Sequence, residues 1–151
     1  CAGEMVLAAP RPWSSGVLRP GRRAWLGGRP FIALAEATPL GERLAARLAA
    51  AQWSPRQVLR VQTYALAGTL VERGLGYAFL DGYTAAALDS ARVVLMRTAP
   101  VLPFTLSMMS AAGSVPSVLV GRLRDCLLHA AQRSAASLAG RLDSQALEFD
   151  A

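Results

Sequence analysis

The sequence contains no lysine and no asparagine, and its single isoleucine is Ile32. All 16 basic residues are consequently arginine. A bias toward arginine, alanine, glycine and proline is typical of a GC-rich genome. The net charge of +6 therefore reflects codon usage in part, and it does not by itself predict a nucleic-acid-binding protein. A chain of 151 residues is long enough for one domain of globular composition.

Cysteine and histidine are too scarce for several kinds of chemistry. Cys1 and Cys126 cannot form a disulfide framework and lack the spacing of metal ligands, which indicates free thiols in a reducing compartment. His129 lies one helical turn from Cys126, but a pair without a third ligand is a poor metal site, so we interpret Cys126 as core and His129 as surface. No nucleophile–base pair with an orienting group is apparent. We expect no cofactor, no metal and no enzymatic activity.

Residues 98–121 carry no charge, and the stretch is long enough to be considered as a membrane span. Pro100, Pro103 and Pro116 interrupt it, and several serines reduce its hydrophobicity. We interpret it as a strand, a turn and the start of a helix, with Ser114 as N-cap and Pro116 in the first turn. No charged n-region of a secretory signal precedes the first apolar residues. These features predict a cytoplasmic protein without a membrane partner.

A region without acidic residues, from Met5 to Ala35, contains five arginines: Arg11, Arg19, Arg22, Arg23 and Arg29. A nucleic-acid-binding surface would use such side chains to neutralise phosphates. Aromatic residues are sparse between them, however, and no recognition helix is present. We therefore predict that 10–28 is a solvated loop and that this chain does not itself bind DNA.

The most informative stretch is 63–83, where a helical pattern leads directly into an apolar strand. Thr63 carries a hydroxyl that can cap the helix. Gly74 suits the left-handed position after a helix. The run 77–80 predicts a strand buried on both faces, as strands of parallel sheets are. The apolar positions of the helix recur at the spacing of one buried face: Leu66, Leu70 and Val71.

The remaining pattern alternates strands and helices. Further strands are predicted at 5–9, 31–34, 58–62 and 92–96, with Leu59 and Val61 on one side of the third. Thr38 and Pro39 are typical of a helix start, with Leu40, Leu44 and Leu48 on one face. A short helix is predicted at 83–88. A last helix has an apolar stripe of Val118, Leu119, Leu123, Cys126, Leu127 and Ala130. Beyond Ser134 the chain is polar, and we expect its last residues to fray.

Four segments of this pattern, in this order, resemble the effector-binding domain of LysR-type transcriptional regulators. They are the strand Glu-Met-Val-Leu-Ala-Ala-Pro at 4–10, the Leu-x-x-x-Pro-Phe-Ile segment at 26–32, the Val-x-x-Gly-x-Gly end of a helix at 71–76, and the strand and helix at 101–109 and 117–128. The resemblance covers roughly 4–133. Asp81 stands where the family usually has proline, and the family's DNA-binding head and first half-lobe have no counterpart in this sequence.

The resemblance implies an α/β fold of the periplasmic-binding-protein-like (type 2) class. It assigns 1–133 to a partial effector-binding domain, in which about 8–100 form the second lobe. About 101–133 form the strand and helix that return to the first lobe, and 134–151 are a C-terminal tail. Because a core strand begins within a few residues of Cys1, we expect the chain to be part of a longer protein.

Ligands of open α/β sheets bind beyond the carboxyl ends of strands, where helix N-termini offer unpaired N–H groups. With the resemblance, this predicts an effector site formed by Ala35, Glu36, Ala37, Thr38, Thr63, Tyr64, Phe104 and Thr105. Each threonine could instead be only a helix cap, and Phe104 could be core. Glu36 would repel an anion, which favours a neutral or cationic effector.

Three functions are compatible with this interpretation. The first is the small-molecule-sensing part of a bacterial transcriptional regulator that forms a homo-oligomer and binds DNA only through an N-terminal helix-turn-helix absent from this chain. The second is a fragment of a solute-binding lipoprotein of a transport system, which Cys1 would suit as a lipid-modified residue. The third, an enzyme of the same fold, lacks a catalytic group.

Overall fold

The computed structural model describes residues 1–17, 22–35, 38–110 and 117–149. The strands are β1 (Ala2–Pro10), β2 (Phe31–Leu34), β3 (Gln57–Val61), β4 (Ala78–Asp81), β5 (Val93–Ala99), β6 (Pro103–Thr105) and β7 (Leu142–Glu148). The helices are α1 (Ser14–Val17), α2 (Arg22–Gly27), α3 (Pro39–Ala50), α4 (Tyr64–Glu72), α5 (Gly82–Ala87) and α6 (Val118–Ala139), and a 3₁₀ turn spans Arg11–Trp13.

Strand β1 is the centre of the fold. It pairs antiparallel with β4 on one side and with β5 on the other, while its first residues pair antiparallel with β6. Strand β7 adds to β5 in parallel, and β2 and β3 form a parallel pair. The pair joins the larger sheet where the Ile32 N–H donates to the Tyr77 carbonyl (2.9 Å) and the Tyr77 N–H to the Pro30 carbonyl (3.0 Å). Strands β2, β3, β4, β5 and β7 therefore run in one direction.

The side chains of β1 alternate between two cores. Met5, Leu7 and Ala9 pack in an aromatic core that also holds Phe31, Trp53, Tyr77, Phe79 and Phe149. Val6 and Ala8 face an aliphatic core built with α4 and α5. All of these β1 residues have no exposed surface. The continuous apolar run at 5–9 thus reflects burial on both faces, although β1 is antiparallel to its neighbours.

Several local predictions are confirmed. The Thr38 hydroxyl accepts from the Gly41 N–H (3.0 Å) and caps α3, and the Thr63 hydroxyl accepts from the Leu66 N–H (3.2 Å) and caps α4. Gly74 has a φ of 79°, the left-handed conformation predicted after the helix. The buried strand predicted at 77–80 is β4, shifted by one residue.

The predicted solvated loop at 10–28 is wrong for its described part. The 3₁₀ turn, α1 and α2 occupy it, and Leu26 of α2 is fully buried. Arg23 donates to the carbonyls of Phe149 (2.8 Å) and Ala51 and lies 5.8 Å from the ring centroid of Trp53. Carbonyl acceptors and an aromatic face stabilise a half-buried guanidinium, so this arginine is structural.

The polar segment after Ser134 is regular as far as Phe149, and 150–151, the end of the segment predicted to fray, lie outside the described residues. Helix α6 continues to Ala139, and β7 then pairs with β5. Leu147 and Phe149 are fully buried, and the Phe149 ring lies 5.8 Å from that of Phe79. The inward-facing residues Leu147 and Phe149 alternate with polar ones, so the segment looks polar although one side of it is core. The division into lobes and tail stays a prediction.

The helical faces differ in part from prediction. On α3 the predicted face is confirmed, with Leu44 buried and Leu40 and Leu48 packed beside it. On α4 the buried residues are Ala67, Gly68 and Val71, whereas Leu66 is 48% exposed. A Cβ at Gly68 would lie 2.8 Å from a methyl group of Leu88, so this face of α4 has no room for a larger side chain at that position. On β3, Val61 is buried but Leu59 is exposed, because β3 lies at the edge.

Helix α6 exposes the stripe that the sequence predicts to be apolar. Val118, Leu119, Leu123 and Leu127 are each at least half exposed, and Cys126 is exposed and not core. The described N-cap is Ser117, which accepts from the Leu119 N–H (3.2 Å), while the predicted cap Ser114 lies outside the described residues. The returning strand predicted at 101–109 is reduced to β6. The buried residues of α6 all lie in its second half: Ala131 and Leu138.

Replacing Gly76 by alanine is expected to lower the melting temperature of the intact protein. A Cβ at Gly76 would lie 2.7 Å from the Pro30 carbonyl oxygen, which belongs to the backbone contact joining the two sheets. Gly121→Ala is the matched control, because a Cβ at that position of α6 has no neighbour within 4 Å. Alanine there should stabilise the helix by about 0.5–1 kcal/mol. Equal melting shifts in the two variants would contradict the contact.

Replacing Tyr77 by phenylalanine is expected to stabilise the protein. The Tyr77 hydroxyl is buried without a hydrogen-bond partner among the described residues, and an unpaired buried hydroxyl costs about 1–3 kcal/mol. Burial also raises the pKa of the Tyr77 phenol above its ordinary 10.0. Wild-type stability is therefore fully present below pH 10.0 and falls as pH rises further, because the unfolded phenol ionises first.

Chemical denaturation at neutral and alkaline pH measures both effects. The Tyr77→Phe variant should be more stable near neutrality and should lose less stability in alkali than the wild type. A variant that is less stable at neutral pH would show that the hydroxyl has a partner in solution.

Candidate functional site

The carboxyl ends of β2, β3 and β4 meet at one edge of the fold. A helix begins immediately after each: α3 after Thr38, α4 after Thr63 and α5 after Asp81. All three N-cap side chains accept a hydrogen bond from their own helix, Asp81 from the Thr84 N–H at 2.9 Å. Helix N-termini present positive partial charge and N–H donors. The edge therefore concentrates polar groups above a buried sheet.

Tyr64 connects the loops of this edge. Its phenol oxygen is buried and makes no well-formed hydrogen bond to the described residues. Burial raises the pKa of the Tyr64 phenol, the nearby Asp81 carboxylate raises it further, and the Thr38 side chain opposes the rise. Tyr64 thus lies beside residues from the ends of β2 and β4. An unsatisfied hydroxyl among polar side chains is a group that can bind a ligand.

The structure brings the predicted site segment that begins at Ala35 next to the strand that leads into the second predicted segment, Thr63 and Tyr64. The Ala35 N–H donates to the Val61 carbonyl at 2.8 Å, which fixes the start of the loop after β2 to the end of β3. Ala35 and Thr38 are half-buried, and Thr63 is exposed. Glu36 and Ala37 lie outside the described residues.

Phe104 and Thr105 lie at the start of β1. Phe104 pairs with Gly3, its ring packs over that glycine, and the ring meets the edge of Tyr83 at a centroid distance of 5.8 Å. Thr105 is exposed and lines a groove of about 790 Å³ beside α6. Arg43 of α3 donates to the Pro103 carbonyl (2.6 Å) and ties this strand to α3. Phe104 therefore contacts α5 through Tyr83. Tyr64 lies near Asp81, the N-cap of the same helix.

Two polar groups of this edge could not be predicted from the sequence pattern. Asp81 follows a buried strand and opens a helix, the same signal that identified Thr38 and Thr63, but the helix was expected to begin at Tyr83. Arg97 of β5 forms a two-pronged pair with Glu4 of β1, with Nε and Nη2 each 3.0 Å from a carboxylate oxygen. No sequence pattern pairs residues so far apart along the chain.

The described part of the chain has neither a metal-binding cluster nor a spanning helix. No three His, Cys, Asp or Glu side chains there lie close enough to hold a metal ion. None of the described helices is both long and apolar enough to cross a membrane.

Comparison with known proteins identifies the family. The family model for the LysR substrate binding domain matches residues 1–132. The chain belongs to this family. DgcR, an HTH-type transcriptional regulator of Pseudoalteromonas sp, is 29% identical over 106 residues, which are 68% of this chain and 36% of DgcR. The chain therefore spans about a third of the length of DgcR.

Two solved structures have a similar fold. The bromide-bound regulatory domain of HypT from Salmonella typhimurium matches with a TM-score of 0.56 and 17% identity, over 87% of this chain and 63% of that one. DarR of Vibrio fischeri in complex with DNA matches with a TM-score of 0.51 and 14% identity, over 68% of this chain and 35% of that one. The predicted α/β fold of the type 2 periplasmic-binding-protein-like class is confirmed.

Replacing Asp81 by asparagine is expected to lower the pKa of Tyr64 toward its ordinary value. The carboxylate charge would no longer oppose ionisation of the phenol, while burial would keep the pKa raised. The amide oxygen can still accept from the Thr84 N–H, so the cap of α5 should survive. A pH titration of the tyrosine Cζ signals by NMR measures the change.

Asp89→Asn is the control, because Asp89 is exposed and pairs with Arg92 at 3.4 Å. It should leave the Tyr64 titration unchanged. Equal shifts in the two variants would mean that Asp81 does not act on Tyr64 through its charge.

Proposed function

We propose that this chain is the small-molecule-sensing part of a bacterial LysR-type transcriptional regulator. The family match over 1–132 carries the proposal, and the HTH-type regulator DgcR and the DNA-bound DarR support it. In this proposal DNA is bound by an N-terminal helix-turn-helix outside the given sequence, and the protein acts in the cytoplasm as a homo-oligomer. Its role is to sense a ligand and not to transform one.

We further propose that about 8–100 form one lobe and about 101–133 return to a first lobe, with 134–151 following as the C-terminal segment. The exposed apolar residues support this division. They cluster on the segment after β6 and on α6, including Leu106, Met108, Met109, Val118, Leu119 and Leu123. Monomeric proteins rarely leave many large apolar side chains of neighbouring segments uncovered. A first half-lobe in the intact regulator would cover them.

The lipoprotein alternative is disfavoured. The Cys1 N–H donates to the Leu106 carbonyl (2.9 Å), and the Leu106 N–H donates to the Cys1 carbonyl (2.8 Å). These bonds extend the β1–β6 ladder to Cys1. A lipid-modified cysteine is normally followed by a flexible linker, whereas Cys1 is here hydrogen-bonded to Leu106 directly before β1.

The proposed effector site lies between the first turns of α3, α4 and α5. Ala35, Glu36, Ala37, Thr38, Thr63 and Tyr64 would contact the ligand from this lobe, with Phe104 and Thr105 at the returning strand. The unsatisfied phenol of Tyr64 supports the placement, and Asp81 joins Glu36 in favouring a neutral or cationic ligand. Closure of the lobes on the ligand would shift the regulator between two arrangements.

Substitutions of Thr63 test the site in the full-length regulator. A thermal-shift screen of neutral, cationic and anionic metabolites first supplies a ligand for calorimetric titration. Thr63→Val removes the cap, which should cost about 1 kcal/mol of stability, and we expect it also to weaken ligand binding about tenfold if the hydroxyl contacts the ligand. Thr63→Ser keeps the hydroxyl and should leave binding nearly unchanged.

Thr69→Val is the matched control on the same helix, because its hydroxyl only donates to the Ala65 carbonyl (3.0 Å) on the exposed side of α4. An unaltered titration for Thr63→Val would remove Thr63 from the site. The absence of any stabilising metabolite would count against the sensing function itself.

A further inference from the structure

The first residues of β1 and the strand β6 form a short antiparallel ribbon. The Leu106 N–H donates to the Cys1 carbonyl (2.8 Å), and the Met5 N–H donates to the Leu102 carbonyl (2.9 Å). Backbone groups of an antiparallel pair point alternately toward the partner strand and away from it. Every second carbonyl of the ribbon therefore points outward, to one of its two outer edges.

Arg43 of α3 binds the outer edge of β6. Its Nη1 donates to the Pro103 carbonyl at 2.6 Å, one of the carbonyls that point outward. Proline has no backbone N–H, so this carbonyl is the only hydrogen-bonding group of Pro103, and a charged donor strengthens the bond to it. Arg43 lies at the start of the second turn of α3, which Thr38 caps. One side chain thus connects the beginning of α3 to β6.

Tyr83 of α5 binds the outer edge of β1. Its hydroxyl donates to the Ala2 carbonyl (3.1 Å), which points away from β6. Its ring also meets the Phe104 ring of β6 edge-on, with 5.8 Å between the centroids. Tyr83 lies in the first turn of α5, which Asp81 caps. The ribbon is thus held at both outer edges, in each case by a side chain of a helix that begins at the proposed effector site.

The ribbon is short and largely exposed. Strand β6 has three residues, and Ala2, Pro103 and Thr105 are exposed. A two-stranded ribbon of this length is only marginally stable in water unless it packs against other elements. Its resistance to opening therefore depends on the side chains that attach it to the rest of the domain.

We propose that Arg43 and Tyr83 form a clasp that couples the ribbon to the starts of α3 and α5. This inference rests on the proposed function, in which a ligand binds between those helix starts and the ribbon leads to the first lobe. A ligand that moves either helix start also moves the ribbon, through one of the two hydrogen bonds. Arg43 and Tyr83 are positioning residues, because both side chains bind carbonyls of the ribbon.

Hydrogen–deuterium exchange of the full-length regulator, with no ligand added, tests the clasp. The outcome is therefore independent of whether the sensing function is correct. In Arg43→Gln the Leu106 and Met5 amides should exchange about fivefold faster, because the loss of a charge-assisted hydrogen bond favours local opening. Tyr83→Phe keeps the ring and removes only the hydroxyl, and it should raise both rates about threefold.

Arg47→Gln is the matched control on α3 and should exchange as the wild type does. The Arg47 side chain makes no hydrogen bond or ion pair with the described residues. Unchanged exchange in either Arg43→Gln or Tyr83→Phe, or an equal rise in Arg47→Gln, would overturn the clasp.

Thr38→Val tests whether the clasp couples the helix start to the ribbon, because it removes the cap of α3. We expect it to raise exchange at the Leu106 amide about twofold when Arg43 is present and to leave that amide unchanged in Arg43→Gln. An Arg43 that only stabilises β6 would give the same effect of Thr38→Val in both backgrounds. That result, or no effect in either background, would overturn the coupling.

Discussion

The burial of β1 on both faces is the constraint on which the rest of the fold depends. Met5 through Ala9 have no exposed surface, and their side chains contribute to both cores. Since β1 also pairs with β4 and β5, every direction around it is occupied by protein. Burial of this many apolar groups is the largest favourable term that a small domain has. The two cores cannot form separately, because one strand supplies side chains to each.

The antiparallel direction of β1 also determines where polar groups can collect. The strands beside it run the opposite way, so their carboxyl ends lie at the edge where β1 begins. Glu4, paired with Arg97, and the caps Thr38, Thr63 and Asp81 belong to that edge. At the other edge β1 ends, and there the backbone holds Arg11 beside the turn that carries Arg141. The fold thus separates two polar regions by the length of one strand.

Features that depend on neighbouring residues could be predicted from the sequence. The caps Thr38 and Thr63 and the left-handed Gly74 each follow from a residue type and the element beside it. The strand at 31–34 was predicted with its observed bounds, because an apolar run follows Pro30 and a helix cap comes a few residues after it. The two loops that meet at Tyr64 could also be predicted, since parallel strands end at one edge.

Features that depend on distant residues could not be predicted in the same way. The position of Arg23 depends on carbonyls of Ala51 and Phe149, and the burial of Phe149 depends on Phe79 and Trp53. Asp81 was missed as a cap because the start of α5 was placed too late. The exposure of Leu119 and Cys126 could not be read from an apolar stripe, because a stripe does not indicate whether its partner belongs to the same chain segment.

The contact between Gly82 and Leu138 has a mechanical consequence. A Cβ at Gly82 would lie 2.7 Å from the Leu138 methyl group and 2.9 Å from the Glu4 carbonyl oxygen, so α6 packs directly on the first residue of α5, which itself packs on β1. Leu138 is buried there, and close-packed groups resist compression. The first turn of α5 and the end of α6 are consequently in direct steric contact. We therefore expect a displacement at the edge that carries Asp81 to reach, through this contact, a helix whose other end is largely exposed.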